Sequence, residues 1–481
     1  MMNLSQAAQA LNTQLVGEDR RFTAVSTDTR SIRQGDLFIA LKGENFDGAT
    51  FVAQAVQAGA VAAVVNGDSG LANAPCPLIK VADTRLALGQ LAAHWRKQFD
   101  IPLVAITGSN GKTTVKEMLA AILRQKIKED FHASSLALRE RVGEREHAED
   151  TDNLVLATKG NFNNDIGMPL TLLGLNSSHR YAVIEMGMNR LHEIDYLSRI
   201  ARPDVALVNN ASGAHLQGLG SVENVARAKG EVFAGMDADG TAVINADDTH
   251  AGMWRKLAEN YQIVDFALEH SAAVKGVWTA QGYGGVLQAR TPAGEVRIVL
   301  QVPGEHNGRN ALAAATAALA LQIPLATIAK ALEEFGGVAG RLQRKQANHG
   351  ATLIDDTYNA NPASMSAALE VLAQATGKRI FVLGDMGELG EEALQMHQEI
   401  GIAARELGIE RLLALGTLSA GAVQEFGAGA RHFSNIEDLC AGLTAELDKQ
   451  TTVLVKGSRF MKMERVVQFC AQDKEATCCS H

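Results

Sequence analysis

Short runs rich in Val, Ile and Leu alternate along almost the whole chain with stretches whose apolar residues recur at helical spacing. The runs at 103–107, 181–185, 205–209, 241–245, 351–355, 379–383, 411–415 and 452–455 read as strands, because each is short and stops near Gly, Asn or Asp. Several are followed by a helical pattern, which predicts parallel sheets with crossover helices. The chain is therefore expected to be α/β, and it divides into three blocks. Residues 1–82 hold strands at 36–41 and 60–65 and form a small α/β unit. An amphipathic stretch at 84–99 leads into a second block, 83–335, and a third, 336–481, carries four or so strands of its own. Two stretches depart from this rhythm. The Ala-rich run 311–321 is broken by Gln322 and Pro324, so it predicts a buried helix and not a bilayer span. Residues 124–152 are dense in Arg, Glu, Asp and His without apolar periodicity, which predicts a solvated surface insertion.

Length and composition agree with several ordinary globular domains: 481 residues, 46% of them hydrophobic. A formal net charge of −9 argues against a general nucleic-acid binder, which needs a basic face to neutralise phosphates. Five cysteines without a C-x-x-C pair read as reduced thiols, neither a disulfide framework nor a zinc site. The first dozen residues lack a basic segment followed by an apolar core, so no signal peptide is expected. The expected setting is cytoplasmic, without membrane insertion.

The strongest chemical signal is Gly108-Ser109-Asn110-Gly111-Lys112-Thr113-Thr114, between the apolar strand at 103–107 and a helical stretch. Glycines let a backbone curl so that N–H groups face phosphate oxygens, and the following helix adds its positive end. Lys112 would reach the β- and γ-phosphates of ATP, and Thr113 would hold Mg²⁺. The spacing differs from the common phosphate loop, since Ile106 stands where that pattern has its first Gly. Such a loop indicates a nucleotide and leaves the reaction open.

Other residues are candidates by position. Glu185 ends the strand at 181–185, where a carboxylate can bind magnesium, though acids at strand ends are common. His215 follows the strand at 205–209. Lys229 reads as a solvated helix lysine, and an ammonium cannot ligate a metal unless modified. In the third block Gly340-Arg341 precedes a strand that runs into Asp355-Asp356-Thr357-Tyr358-Asn359-Ala360-Asn361-Pro362. Paired carboxylates and an Asn-rich turn there could bind a ribose or an ammonium group, or could simply start a helix.

Taken in order, the loop 107–114, Lys159-Gly160-Asn161-Phe162-Asn163-Asn164-Asp165, Glu185, His215, Lys229, Glu305-His306-Asn307-Gly308-Arg309-Asn310, Gly340-Arg341 and 355–362 form a series that resembles the Mur ligase family. The resemblance spans nearly the whole chain. Asp28-Thr29-Arg30, the stretch 35–43, the segment Gly384-Asp385-Met386-Gly387-Glu388-Leu389-Gly390 and Val455-Lys456-Gly457-Ser458-Arg459 are similar to members that add D-alanyl-D-alanine.

The resemblance implies three domains: a small N-terminal one for a uridine nucleotide, a central phosphate-loop ATPase with a mostly parallel sheet, and a C-terminal Rossmann-like domain. It implies an ATP- and Mg²⁺-dependent amide ligase acting on UDP-N-acetylmuramoyl-tripeptide and D-alanyl-D-alanine, as a monomer. By position, Thr29, Arg30 and Lys42 would face the uridine nucleotide, and Asn163 and Asn164 the muramoyl-peptide side. Gly108 through Thr114 and Asn310 would serve ATP, with Arg341 and Asp356 reaching across from the third domain. Thr113, Glu185, His215 and a carbamylated Lys229 would hold metal. Tyr358, Lys456, Ser458 and Arg459 would meet the remaining substrate. Two other readings stay open: a sister or folylpolyglutamate-type ligase adding one amino acid, and a nucleotide switch or motor. The motor would need a repeat or coiled-coil segment for assembly, and the sequence has neither.

Overall fold

The computed structural model describes residues 1–43, 46–71, 74–142, 151–213 and 216–471. Each of the three main sheets is built from one stretch of the chain. The first has five strands in the order Leu15–Val16, Leu78–Val81, Ala62–Asn66, Leu37–Ile39, Val25–Ser26, parallel except for Leu15–Val16. Its helix Thr84–Arg96 is capped by Asp83, whose side chain accepts from the N–H groups of Arg85 and Leu86. Leu88 and Leu91 of that helix share one core with Leu4 and Ala7 on one side and Ile194 and Leu197 on the other. The first two domains are thus joined by packed apolar surface.

The central sheet has nine strands. Seven run parallel, in the order Val155–Ala157, Tyr181–Glu185, Leu103–Thr107, Val205–Val208, Thr241–Asn245, Gln262–Ala267, Val274–Gln281; Gly284–Thr291 and Gly294–Leu300 then continue antiparallel. Leu103–Thr107 is buried along its whole length, as its unbroken apolar sequence requires of a strand covered on both faces. The helix Glu305–Ala320 packs against the helix that begins at Lys112. Most of its buried residues from 311 to 318 are alanines, whose single methyls suit close packing on several sides.

The last sheet has six strands, Gln343–Gln346, Thr352–Asp356, Thr451–Lys456, Lys378–Gly384, Arg411–Leu415 and Ala430–Phe433, the first antiparallel and the rest parallel. It carries a separate core on each face. No helix among the described residues is long and apolar enough to cross a membrane.

The fold corrects two expectations. The stretch expected to be a solvated insertion is helical in its first part: one helix runs from Lys112 to Val142, and residues 143–150 lie outside the described residues. The reason is local. No Gly or Pro interrupts 112–142, and Ile127 continues the apolar face of Leu123 one turn on, so nothing stops the helix. The third block has six strands, not four, because its edge strands Gln343–Gln346 and Ala430–Phe433 are short and largely polar.

Candidate active site

Register brings the chemistry to one edge of the central sheet. Glu185 lies opposite Ile106, and Val208 opposite Thr107, so the loops after three neighbouring parallel strands open side by side. That is where ligands bind in open α/β sheets. Gly111 has φ +81°. A Cβ on it would come within 2.3 Å of Asn310 Oδ1 and 2.6 Å of Asn209 Nδ2, so only glycine lets the loop pass.

The loop's own amides are used differently from the simple expectation. The Ser109 N–H donates to the Asn210 carbonyl (3.0 Å) and the Asn110 N–H to Asn210 Oδ1 (2.8 Å). The groups left to meet phosphate are the N–H donors of the first helical turn at Lys112, Thr113 and Thr114, which have no intrahelical acceptor. The side chain of Asn110 spans two domains: its Nδ2 donates to Ser212 Oγ (3.1 Å), and its Oδ1 accepts from Asn361 Nδ2 (2.8 Å) of the last domain.

Beside the loop lies a charged cluster. Thr113 Oγ1 donates to Glu185 Oε2 (2.9 Å) and accepts from Arg341 Nη2 (2.8 Å). Asn163 Nδ2 donates to Glu185 Oε1 (2.8 Å), and the Glu185 N–H donates to Thr158 Oγ1 (2.9 Å). Lys112 Nζ donates to the Gly108 carbonyl (2.8 Å). Burial holds its pKa below the ordinary lysine value, Glu185 opposes that shift and Arg341 adds to it. Lys229 is fully buried, contrary to its reading as a solvated lysine. Burial, and then the repulsion of Lys112, push its pKa well below normal, while Glu185 pulls the other way. Lys112 and Arg341, set against the single Glu185 carboxylate, leave positive charge for an anion to neutralise.

The last domain supplies Arg341, whose guanidinium also lies 4.2 Å from the centre of the Tyr358 ring. Arg341 Nε is buried without a hydrogen-bond partner among the described residues, a donor waiting for an acceptor. Asp356 accepts from the Leu342 N–H (3.1 Å) and from Lys456 Nζ (2.6 Å). Lys456 also donates to the Asn359 carbonyl (3.0 Å). Lys456 is thus held in a buried ion pair with Asp356. Each Asp356 oxygen accepts one hydrogen bond and keeps a further lone pair. Lys456→Met should lower the free energy of unfolding by about 3 kcal/mol, since it strands a buried carboxylate. Urea unfolding reads this; unchanged stability would mean that the ion pair adds nothing to the fold. Ser458 is buried too: its Oγ accepts from the Gly387 N–H (2.9 Å) and donates to the Ala360 carbonyl (3.2 Å). Arg459 pairs with Glu464 at 3.2 Å and stays largely exposed.

The remaining candidates are scattered. Arg30 forks onto Asp28, and its side-chain hydrogen bonds hold that carboxyl down to about 2. Lys42 pairs with Asp68 at 2.7 Å, and Thr29 sits half-buried between Asp28 and Arg30 in a turn. Asn164 Oδ1 accepts from the Gly167 N–H (2.8 Å), so this side chain starts a helix while its neighbour Asn163 faces the cluster. His215 lies outside the described residues. Asn209, Asn210 and Asn245 join the site without a motif to mark them. Asn209 Nδ2 donates to Asn310 Oδ1 and to the Asn110 carbonyl, both at 3.0 Å, and Asn245 Nδ2 donates to the Asn209 carbonyl (2.9 Å). Amides closing two adjacent parallel strands were the available signal.

These groups fit ATP and Mg²⁺. Octahedral magnesium with ligands about 2.1 Å away sets neighbouring ligand atoms about 3 Å apart. Thr113 Oγ1 and Glu185 Oε2 are 2.9 Å apart. Both are hard oxygens, as magnesium prefers.

Known proteins agree along the full length. Residues 21–96 match the model of the Mur ligase family catalytic domain, 106–318 the Mur ligase middle domain, and 340–459 the Mur ligase glutamate ligase domain. The chain is 40% identical over 484 residues to the UDP-N-acetylmuramoyl-tripeptide–D-alanyl-D-alanine ligase of Escherichia coli (strain K12), covering 99% of each. It is 39% identical to the same-named ligase of Haemophilus influenzae, covering 98% of this chain and 99% of that one. The crystal structure of MurF from Acinetobacter baumannii superposes with a TM-score of 0.83 at 35% identity, over 96% of this chain and 97% of that one.

Proposed function

The chain belongs to the Mur ligase family, and from that premise we propose that it joins D-alanyl-D-alanine to UDP-N-acetylmuramoyl-tripeptide at the expense of ATP, completing a pentapeptide precursor of peptidoglycan. The observation that carries this reading is the chain of hydrogen bonds from Arg341 through Thr113 to Glu185, which ties the last domain to the phosphate loop of the central one.

A terminal carboxylate oxygen of the tripeptide attacks the γ-phosphorus of ATP, and ADP leaves, giving an acyl phosphate. The free amine of D-alanyl-D-alanine then attacks the acyl carbon. The tetrahedral intermediate loses a proton from nitrogen and expels phosphate, leaving the amide. Carboxylate and triphosphate repel one another, so the chain's task is to offset charge and hold geometry. Lys112 is assigned to the β- and γ-phosphates, its lost hydration sharpening the interaction. Arg341, with Nε unpartnered, is assigned to the transferring phosphoryl group. Thr113, Glu185 and Lys229 would hold Mg²⁺, with His215 a further candidate; bound magnesium would draw negative charge off the phosphate oxygens. Asn163 fixes the Glu185 carboxylate, and the apposition of Arg341 and Asn361 to the loop limits water's access to the acyl phosphate.

Lys229 matters through its suppressed charge. An amine that gives up its proton readily is nucleophilic toward carbon dioxide, and the carbamate so formed is an oxygen ligand in place of a cation. Lys229→Ala is expected to lower kcat about 100-fold, as the loss of support for a metal ligand does. Added acetate or formate should restore part of it; no recovery at any concentration would count against the carbamate.

The reading as a whole is tested by phosphate release with UDP-N-acetylmuramoyl-tripeptide and a panel of amines. D-alanyl-D-alanine should drive turnover, and lysine, meso-diaminopimelate and glutamate should not. A preference for a single amino acid would make the enzyme a sister ligase.

A further inference from the structure

The chain passes from the central domain to the last through residues 336–342. Gly337 and Gly340 on this crossing have φ +93° and +70°, ordinary values for glycine. Leu342 has φ +50°, a left-handed conformation that leucine keeps only when its surroundings enforce it. Its side chain is buried in the last domain's core. Its backbone is gripped from both domains. The Leu342 N–H donates to Asp356 Oδ1 (3.1 Å) of the last domain, and its carbonyl accepts from the Tyr283 hydroxyl (2.7 Å) of the central one.

Tyr283 sits in the turn between the strands Val274–Gln281 and Gly284–Thr291, at the antiparallel end of the central sheet. From there it packs against the last domain's core, with the Arg344 guanidinium 5.3 Å from its ring centre. Burial pushes the phenol's pKa up, so the hydroxyl retains the proton it donates. Leu342 directly follows Arg341, the residue that reaches Thr113. If Leu342 relaxed to a right-handed or extended backbone, the preceding peptide would turn and carry the arginine away from the loop.

We propose that Tyr283 is a positioning residue: its hydroxyl pins Leu342 in the left-handed conformation and so aims Arg341 at the phosphate loop. The catalytic part of this inference rests on the ligase reading above; the pin itself does not. Nothing in the reaction touches Tyr283, so its effect must pass through the backbone at 342. Glycine or asparagine at that position would adopt the same backbone with less enforcement, and the need for the pin should fall accordingly.

Tyr283→Phe removes only the oxygen. Loss of one hydrogen bond should lower kcat about tenfold while each KM stays within about twofold, because substrates bind before the arginine is needed. Hydrogen exchange at the Leu342 amide should quicken by about the same factor. In a Leu342→Gly background the same Tyr283→Phe change should cost less than about twofold. Leu342→Asn serves as a second background should the glycine variant fold poorly. An unchanged kcat together with unchanged exchange would overturn the proposal. So would an equal tenfold loss in both backgrounds, which would mean that Tyr283 acts through packing alone. Failure of the ligase reading is distinguishable: wild-type protein would then lack turnover, while exchange at Leu342 would still report whether Tyr283 holds that backbone.

Discussion

Lys112→Ala is expected to lower kcat at least about a thousandfold while the Kd for the uridine nucleotide substrate changes less than about threefold. The first half follows from the lysine's place. Lys112 Nζ sits against the Gly108 carbonyl, at the mouth of the curl. Partial burial has already removed much of its hydration, so its field falls on whatever anion enters. The second half follows from the domain arrangement, in which the residues assigned to the uridine nucleotide, Thr29, Arg30 and Lys42, lie on the first sheet's domain. Isothermal titration with the nucleotide substrate and a coupled phosphate assay read the two halves separately. Equal loss of both would refute the division of labour between the domains.

Arg341→Ala should cost about a thousandfold in kcat, with a small change in the KM for ATP, as expected of a cation that acts mainly on the transferring phosphoryl group. Arg341→Lys should recover little. The guanidinium makes two contacts that an ammonium cannot copy together: Nη2 to Thr113 Oγ1, and its flat face over the Tyr358 ring. A large rise in the KM for ATP with kcat preserved would instead make Arg341 a binding residue, and its contact with Thr113 would lose its catalytic meaning. Stability provides the control. Arg341 belongs to neither apolar core of the last domain, so its removal should leave thermal unfolding within a degree or two of wild type.

The parallel strands were legible in the sequence for a physical reason. A strand buried on both faces must be apolar throughout, and Leu103–Thr107, Tyr181–Glu185, Thr241–Asn245 and Arg411–Leu415 fall at their expected bounds. The antiparallel end of the central sheet escaped notice. Val274–Gln281 and Gly284–Thr291 are half exposed and mix Gly, Thr, Gln and Arg with their apolar residues, so no periodicity stands out. Tyr283, in the turn between them, carries no sequence signal for the same reason. In the site, the loop and Glu185 could be found because each follows a strand of this kind. The ion pair of Lys456 with Asp356 was not legible: it joins residues 100 positions apart, and only the pairing of Thr352–Asp356 with Thr451–Lys456 brings them together. The same holds for Asn361, which looked like a helix cap. It is one, accepting from the Ser364 N–H, yet its other amide atom reaches the phosphate loop.

Everything turns on whether the carboxylate is activated by taking up phosphate within a site that two domains complete. Labelling the tripeptide's terminal carboxylate with heavy oxygen and weighing the phosphate released in the presence of D-alanyl-D-alanine tests this directly. An acyl phosphate requires one carboxylate oxygen to leave with each phosphate, so singly labelled phosphate should appear in step with the amide. Unlabelled phosphate, formed at the same rate whether or not the dipeptide is present, would mean that water takes the phosphoryl group and that this chain is not a ligase.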